Sequence, residues 1–563
     1  ARGQLLHPQC ELFDPDPDVL CEYGVKVPVD GDTVLTANVF RSKNAEARGE
    51  PLPVVMCAHP YDNRLTPHQG NTPLNGPPQQ YRLIPQEGRP RFSTLTSWES
   101  PDPDFWVKAG YAVVNLNLPG YADSGGPPSV FSDHQARCYH DAIEWVAKQP
   151  WCTGRVGLNG VSFLAISQYG VASGAGHGTP PPSLRCISPW EGLSDPYRDT
   201  FAPGGLTETG FPSFWWTTEV KTALAGDEKD FLASEGTIPP KFVAEHPTYD
   251  DWWQGKAAKL EAIKVPMLVC ASFSDHNLHT VGSFRAFMRA GSDHKWVYTH
   301  RGGKWDAYYS KEVQELTRRF MDRFLKDDES NGFMDTPPVR LEVRKSLNEV
   351  HEVRPEQTWP LARTRYEKLY LSQDATLRPD PVESEGSLEM NAKKGDVRFR
   401  HIFAEPIELT GYMSLRLWIE LEKSGPIGQA PDDIGLFVYV QKLDATGEVV
   451  PFRGSVGSTS DPVTRGYCRG SFRDLDDERS TAWRPVPSGR DPRPLAAGEP
   501  VVLDIALDPS STWFDRGEGL ELIVATHEVI SSPPYHKDVS FNRGRCRVRM
   551  GGPYDAALQI PRV

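Results

Sequence analysis

Apolar and polar positions follow two different rhythms along this chain. In the first part, "LPVVMCAHP" (52–60) and "YAVVNLNLPG" (111–120) are continuous apolar runs closed by turn residues. That is the pattern of short strands buried on both faces. "YGVKVPVDGDTVLTANVFR" (23–41) alternates and breaks at Asp30-Gly31, which predicts a hairpin. "HQARCYHDAIEWVAKQP" (134–150) and "SKEVQELTRRFMDRFLK" (310–326) carry helical spacing, and the former stops at Pro150. The runs "RVGLNG" (155–160), "VPMLVCASFSD" (265–275) and "KWVYTH" (295–300) supply further strands. Strands alternating with helices at these intervals predict a mostly parallel sheet flanked by helices.

Two stretches break that rhythm. Residues 187–258 are aromatic, punctuated by Pro and Gly, and poor in strand pattern, which predicts a helical cap inserted between sheet strands. From residue 336 the chain becomes a series of short alternating segments such as "MSLRLWIEL", "IGLFVYVQKL" and "GLELIVAT", with almost no helix. This predicts a β-sandwich of the jelly-roll kind. The expected organisation is therefore an α/β domain in two parts, 1–186 and 259–335, a cap over 187–258, and an all-β domain over 336–563. A chain of 563 residues is too long for a single ordinary core, in keeping with that division.

Composition narrows the functional classes. A hydrophobic content of 38% with 15 Trp, 24 Phe and 19 Tyr fits packed globular domains rather than disorder. The formal charge of −14, with no local Lys/Arg block to offset it, argues against a nucleic-acid surface. The nine cysteines lack the paired spacings of zinc or redox sites and read as reduced core thiols. "ARGQLLHPQCELF" has no leader pattern and no run reaches membrane-spanning length, so the expected compartment is the cytoplasm. The chain does not begin with Met, so a removed leader remains compatible with it.

The chemistry centres on "RVGLNGVSFLAISQYGVAS" (155–173), where a buried strand hands over to a helix through Gly160-Val161-Ser162 with no room for a loop. In an α/β hydrolase the nucleophile sits on just such a turn. Leu164 replaces the usual second glycine, and a structural serine at a helix N-terminus is the plainer alternative. A serine hydroxyl needs an imidazole to take its proton and a carboxylate to orient that imidazole. In this fold the order is Ser, acid, His, each at the C-terminal end of a strand. Asp275 closes "LVCASFSD" where the acid belongs. His276 and His279 lie close to Asp275 in sequence, His294 precedes the last strand, and His351 onwards belong to the β region. Topology therefore selects His300, at the exit of "KWVYTH", as the base. A strand-end histidine bonded locally is the alternative for it.

"AIEWVAKQPWCTGRVGLNGVSFL" (142–164), "HPYDNR" (59–64), "SDPYRDTFAPGG" (194–205) and "FSDHNLHTVGSFRAF" (273–287) together resemble segments of the cocaine esterase and X-Pro dipeptidyl-peptidase family of serine hydrolases. The resemblance covers nearly the whole chain. It implies an α/β hydrolase with a helical cap and a C-terminal jelly roll, cleaving esters or amides without a metal. By motif it carries the nucleophile to Ser162, the acid to Asp275 and a tyrosine oxyanion donor to Tyr61. The second oxyanion donor expected is the backbone N–H of Phe163, directly after the nucleophile. Two departures stand out: "THRGGKWDAYY" replaces the family's Gly-Pro-Trp-x-His, and Asn117-Leu118-Pro119-Gly120 replaces its Asp-x-Arg-Gly.

Phe211, Trp215, Trp216, Trp252 and Trp253 are candidates for an apolar pocket under the cap, against the alternative of plain core packing. No acidic pair suited to a substrate's free amino terminus is visible, which favours an ester, lactone or thioester over a dipeptidyl amide. The expected partner is a small-molecule acyl substrate, with no nucleic acid, membrane, metal or other cofactor. Homo-oligomerisation is left open. The alternatives are acyl transfer or carbon–carbon bond hydrolysis at the same site, and a binding protein of this fold whose triad has decayed.

Overall fold

The structure is a computed structural model that describes residues 10–64, 88–423, 430–454 and 457–563. Residues 1–9 of the N-terminal stretch without a leader pattern lie outside these. The α/β part is built on strands β1 (Val19–Pro28), β2 (Val34–Ser42), β3 (Leu52–His59), β4 (Ala112–Asn117), β5 (Cys152–Val161), β6 (Leu184–Trp190), β7 (Met267–Ser272), β8 (Lys295–His300) and β9 (Val339–Arg344). Pairing runs β1-β2-β4-β3-β5-β6-β7-β8-β9, antiparallel through β1, β2 and β4 and parallel from there on. Every residue of β3, β4 and β7 is buried, as their unbroken apolar sequences require of strands covered on both faces.

Helix α1 (Asp133–Ala147), capped by the Ser132 side chain on the Gln135 N–H, packs against β5 and against α2 (Phe163–Ala172). The remaining helices that matter for the site are α3 (Thr280–Arg289), which follows β7, and α4 (Lys311–Leu325), whose buried Phe320, Met321 and Leu325 cover the sheet. The register aligns Val161 with Trp190, Trp190 with Cys270, and Ser272 with His300. The C-terminal ends of β5, β6, β7 and β8 thus share one edge, where parallel α/β sheets bind ligands.

Two boundaries differ from expectation. Residues 187–190, expected in the cap, complete β6, because "CISPW" is a fully buried strand ending that Pro189 and Trp190 disguise. Residues 339–344, expected in the all-β domain, add a parallel strand beside β8 before pairing antiparallel with Val350–Glu356. The cap itself is a set of short helices, including Gly210–Trp215, a π-helical turn Trp216–Val220 and Glu228–Glu235.

The C-terminal region is all β. One antiparallel sheet contains Ser414–Leu421 between Val501–Ala506 and Arg545–Met550, and the other contains Gly435–Leu443 between Gly519–Ala525 and Thr464–Arg469. Leu415, Leu417 and Ile419 of the first share a core with Leu436, Val438 and Val440 of the second. This domain is tied to the hydrolase part by Arg344, which is 1% exposed and donates to the carbonyls of Phe273 (3.0 Å) and Val463 (2.7 Å). It is tied to the cap by the buried pair Lys537–Glu208 at 2.5 Å. All nine cysteines are free thiols. Among the described residues, no helix is long and apolar enough to cross a membrane.

Candidate active site

Ser162 sits between β5 and α2 with φ 59° and ψ −117°, a conformation that non-glycine residues rarely hold. The turn needs Gly160: at φ 150°, a Cβ there would come within 2.5 Å of the Leu164 Cβ. Leu164, fully buried, takes the space that Gly160 leaves open, which explains how the turn forms without a glycine two residues past the serine.

The Ser162 Oγ lies 3.2 Å from Nε2 of His279, and Nδ1 of His279 lies 2.5 Å from Oδ2 of Asp275. The acid and the imidazole thus come from one segment. The backbone N–H groups of Leu278, His279 and Thr280 all donate to the Asp275 carbonyl, closing a helical turn that leads into α3. Side chains four apart on such a turn stand on one face, so Asp275 and His279 meet because of their sequence proximity. Asp275 as hydrogen-bond acceptor assigns the proton to Nδ1 and leaves the Nε2 lone pair towards Ser162.

His300, expected beside Ser162, points elsewhere. Its Nε2 is 2.8 Å from Oε1 of Glu191, both side chains are buried, and the ring stacks on Trp190. His279, set aside in the sequence for its closeness to Asp275, is the histidine that reaches Ser162, and that closeness is what places it. His276 turns to the β domain, with Nε2 3.2 Å from the Pro509 carbonyl, and His294 stacks on Trp296.

The loop after β8 contributes Lys304 instead. Its Nζ is 3.3 Å from Asp275 Oδ2 and 3.2 Å from His279 Nδ1. Burial and the Lys304 charge push the His279 imidazole below its ordinary pKa, with Asp275 pulling the other way. Burial also opposes the Lys304 charge, but Asp275, Glu191 and Glu99 outweigh it and hold the ammonium above its ordinary value.

Tyr61 is buried beside the serine. Its hydroxyl oxygen accepts from Trp215 Nε1 at 3.1 Å, leaving its own proton available to a substrate, and burial holds it far above the ordinary phenol range. His59 supports it by stacking and by accepting the Tyr61 N–H at 3.2 Å; burial lowers that imidazole to about 4, so it is neutral. Phe163 begins α2, where N–H groups have no partner within the helix.

Ser162, Asp275, His279, Lys304, Tyr61 and Phe163 line a cavity of about 80 Å³. Phe211 and Trp215 are in its wall; Trp216, Trp252 and Trp253 are not. Trp216 packs on Phe231, Trp252 stacks on His246, and Trp253 is a core residue donating to the His246 carbonyl. The wall also holds residues not expected from the sequence: Trp98, Phe131, Trp305, Lys304, Glu99 and Glu219. Two acids therefore do face the site. Burial pushes the Glu99 carboxyl up to about 7 and the Glu219 carboxyl well above its usual range. Their separation in sequence, one before β4 and one in the cap, hid them.

A family description, X-Pro dipeptidyl-peptidase (S15 family), matches residues 30–303, and X-Pro dipeptidyl-peptidase C-terminal non-catalytic domain matches 331–552. A CocE/NonD family hydrolase from Staphylococcus aureus superposes with a TM-score of 0.84 at 34% identity, over 97% of this chain and 94% of that one. The chain belongs to the CocE/NonD family of hydrolases. Cocaine esterase of Rhodococcus sp. is 25% identical over 76% of each chain. A putative Xaa-Pro dipeptidyl-peptidase of Bacillus cereus is 23% identical over 51% of this chain and 50% of its own.

Proposed function

We propose that this hydrolase cleaves a carboxylic ester or related acyl bond through a covalent acyl-enzyme on Ser162. The observation that carries the reading is the hydrogen-bond chain Ser162–His279–Asp275 at the wall of a largely apolar cavity. Ser162 Oγ attacks the carbonyl carbon while His279 Nε2 takes the hydroxyl proton. The tetrahedral oxyanion is held by the Tyr61 hydroxyl and the Phe163 N–H, each such donor contributing roughly 3 kcal/mol. Collapse expels the leaving group, which receives the proton from His279. Water then gives a proton to His279 as it attacks the acyl-enzyme, and the acid departs with Ser162 restored. Asp275 fixes the tautomer and stabilises the transient imidazolium.

Hydrolysis of 4-nitrophenyl butyrate by the unaltered chain and by Ser162→Ala tests this. The unaltered chain should turn over, and Ser162→Ala should lose that activity while keeping its melting temperature. Turnover undiminished in Ser162→Ala would refute the reading.

Glu99 and Glu219 favour a second reading, in which the substrate carries an amine, as an amino-acid ester or a peptide does. A bound ammonium would favour the ionised form of two carboxyls that burial pushes up. A loss of kcat/KM in Glu219→Gln confined to amine-bearing substrates supports this; an equal loss for neutral esters removes it.

A further inference from the structure

The aromatic wall beside Ser162 is shared with another cavity. A second cavity of about 50 Å³ lies behind it, between α1, α2 and the chain at 255–259. The two share four wall residues, Phe131, Phe163, Ile166 and Leu193. Beyond that waist Ala136 and Tyr139 of α1, Gly170 of α2 and Ala257 opposite line the chamber, together with serines and the polar Asp133, Gln135, Lys256 and Lys259.

We propose that this second chamber is an acyl-chain subsite, so that the preferred substrate has an extended apolar acyl group threading from Ser162 past the waist. The inference rests on Ser162 being the nucleophile. The side of the scissile bond follows from proton traffic. The leaving group must receive its proton from His279, so it lies towards His279, Asp275 and Lys304, none of which lines the second chamber. The waist is instead formed around Phe163 and Ile166, on the helix that begins at the nucleophile, and this is where the rest of the acyl group projects.

Phe131 is the built part of the waist. It holds φ 53°, an unfavourable backbone for a bulky side chain, and stacks between Phe163 (5.2 Å) and Trp215 (5.7 Å). The strain is held in place by the buried pair Lys256–Glu235 at 2.8 Å. Glu235 accepts the Val130 N–H at 3.0 Å while Lys256 donates to the Val130 carbonyl at 2.9 Å, so both faces of the preceding residue's backbone are clamped. A residue kept in such a conformation between two cavities is placed as a partition.

The chamber can be plugged without touching the triad. A Cβ at Gly170 meets only the Ala136 Cβ, at an ordinary 3.6 Å, so Gly170→Leu projects into the chamber from α2. Ala257→Phe does so from the opposite wall. The readout is the ratio of kcat/KM for 4-nitrophenyl decanoate to that for 4-nitrophenyl butyrate. It should fall at least tenfold in both plugged variants, each checked for an unchanged circular dichroism spectrum. A ratio unchanged in either folded variant overturns the proposal. Binding of neutral 2-decanone and 2-butanone to a Ser162→Ala protein separates this from the mechanism. Tighter binding of the longer ketone, abolished by adding Gly170→Leu, supports the chamber even if esters prove not to be substrates. Equal binding of the two ketones overturns it whatever the esterase assay shows.

Discussion

Nε2 of His279 stands 3.2 Å from the hydroxyl of Ser162, and the same imidazole reaches Asp275 only four residues upstream. His300, at the end of β8, is engaged instead with Glu191. The two histidines therefore have different kinds of work, and substitutions separate them. His300→Ala leaves a buried carboxylate without its partner and should destabilise by about 3 kcal/mol. Its apparent melting temperature should fall by several degrees, with kcat changing far less than in His279→Ala. An unchanged melting temperature with abolished activity would reverse the assignment.

Lys304 should shift the pH range of activity. Its charge beside His279 disfavours the imidazolium, so removing it should raise the pKa of the base. In Lys304→Met the acid limb of the kcat/KM profile is expected at higher pH, and Lys304→Arg should restore part of the original position. An acid limb unmoved, or moved to lower pH, contradicts this role. The sign is set by the cation: losing it favours protonation, so the free base is populated only at higher pH.

Tyr61→Phe removes the hydroxyl proposed as an oxyanion donor and preserves the ring that packs near Phe163 at 6.3 Å. The expected loss is about a hundredfold in kcat, with KM little altered. A change confined to KM would make Tyr61 a substrate-binding group instead.

Arg344 should matter for stability more than for chemistry. Burial lowers its guanidinium to about 9, and it is kept in place by donations to carbonyls on both sides of the junction between the α/β and all-β regions. Arg344→Met strands those carbonyls and should cost about 3 kcal/mol. Thermal unfolding followed by circular dichroism checks it: an unchanged transition would mean that the junction does not depend on this residue.

The parallel sheet was legible because β3, β4 and β7 are buried on both faces and so carry uninterrupted apolar sequence. The turn at Ser162 was legible because a strand-to-helix handover without a loop needs a residue like Gly160. The base was not. Choosing His300 relied on the usual strand order, whereas the Asp275-x-x-x-His279 spacing already contained the helical turn that joins acid and imidazole. Cap tryptophans were equally opaque: Trp215 and Trp216 are adjacent yet one faces Tyr61 and the other Phe231, a choice made by the local helix phase. The acids Glu99 and Glu219 come together only through tertiary packing, so no local pattern announces them.

Every step of the proposed reaction depends on Ser162 being activated by His279. The rate at which a fluorophosphonate forms an adduct on Ser162, followed by intact mass and located by peptide mapping, measures that activation without requiring a known substrate. The unaltered chain should label at Ser162, His279→Ala should label at least a hundredfold more slowly, and His300→Ala should label within a few-fold of the unaltered rate. Fast labelling of His279→Ala together with loss of labelling in His300→Ala would contradict the account.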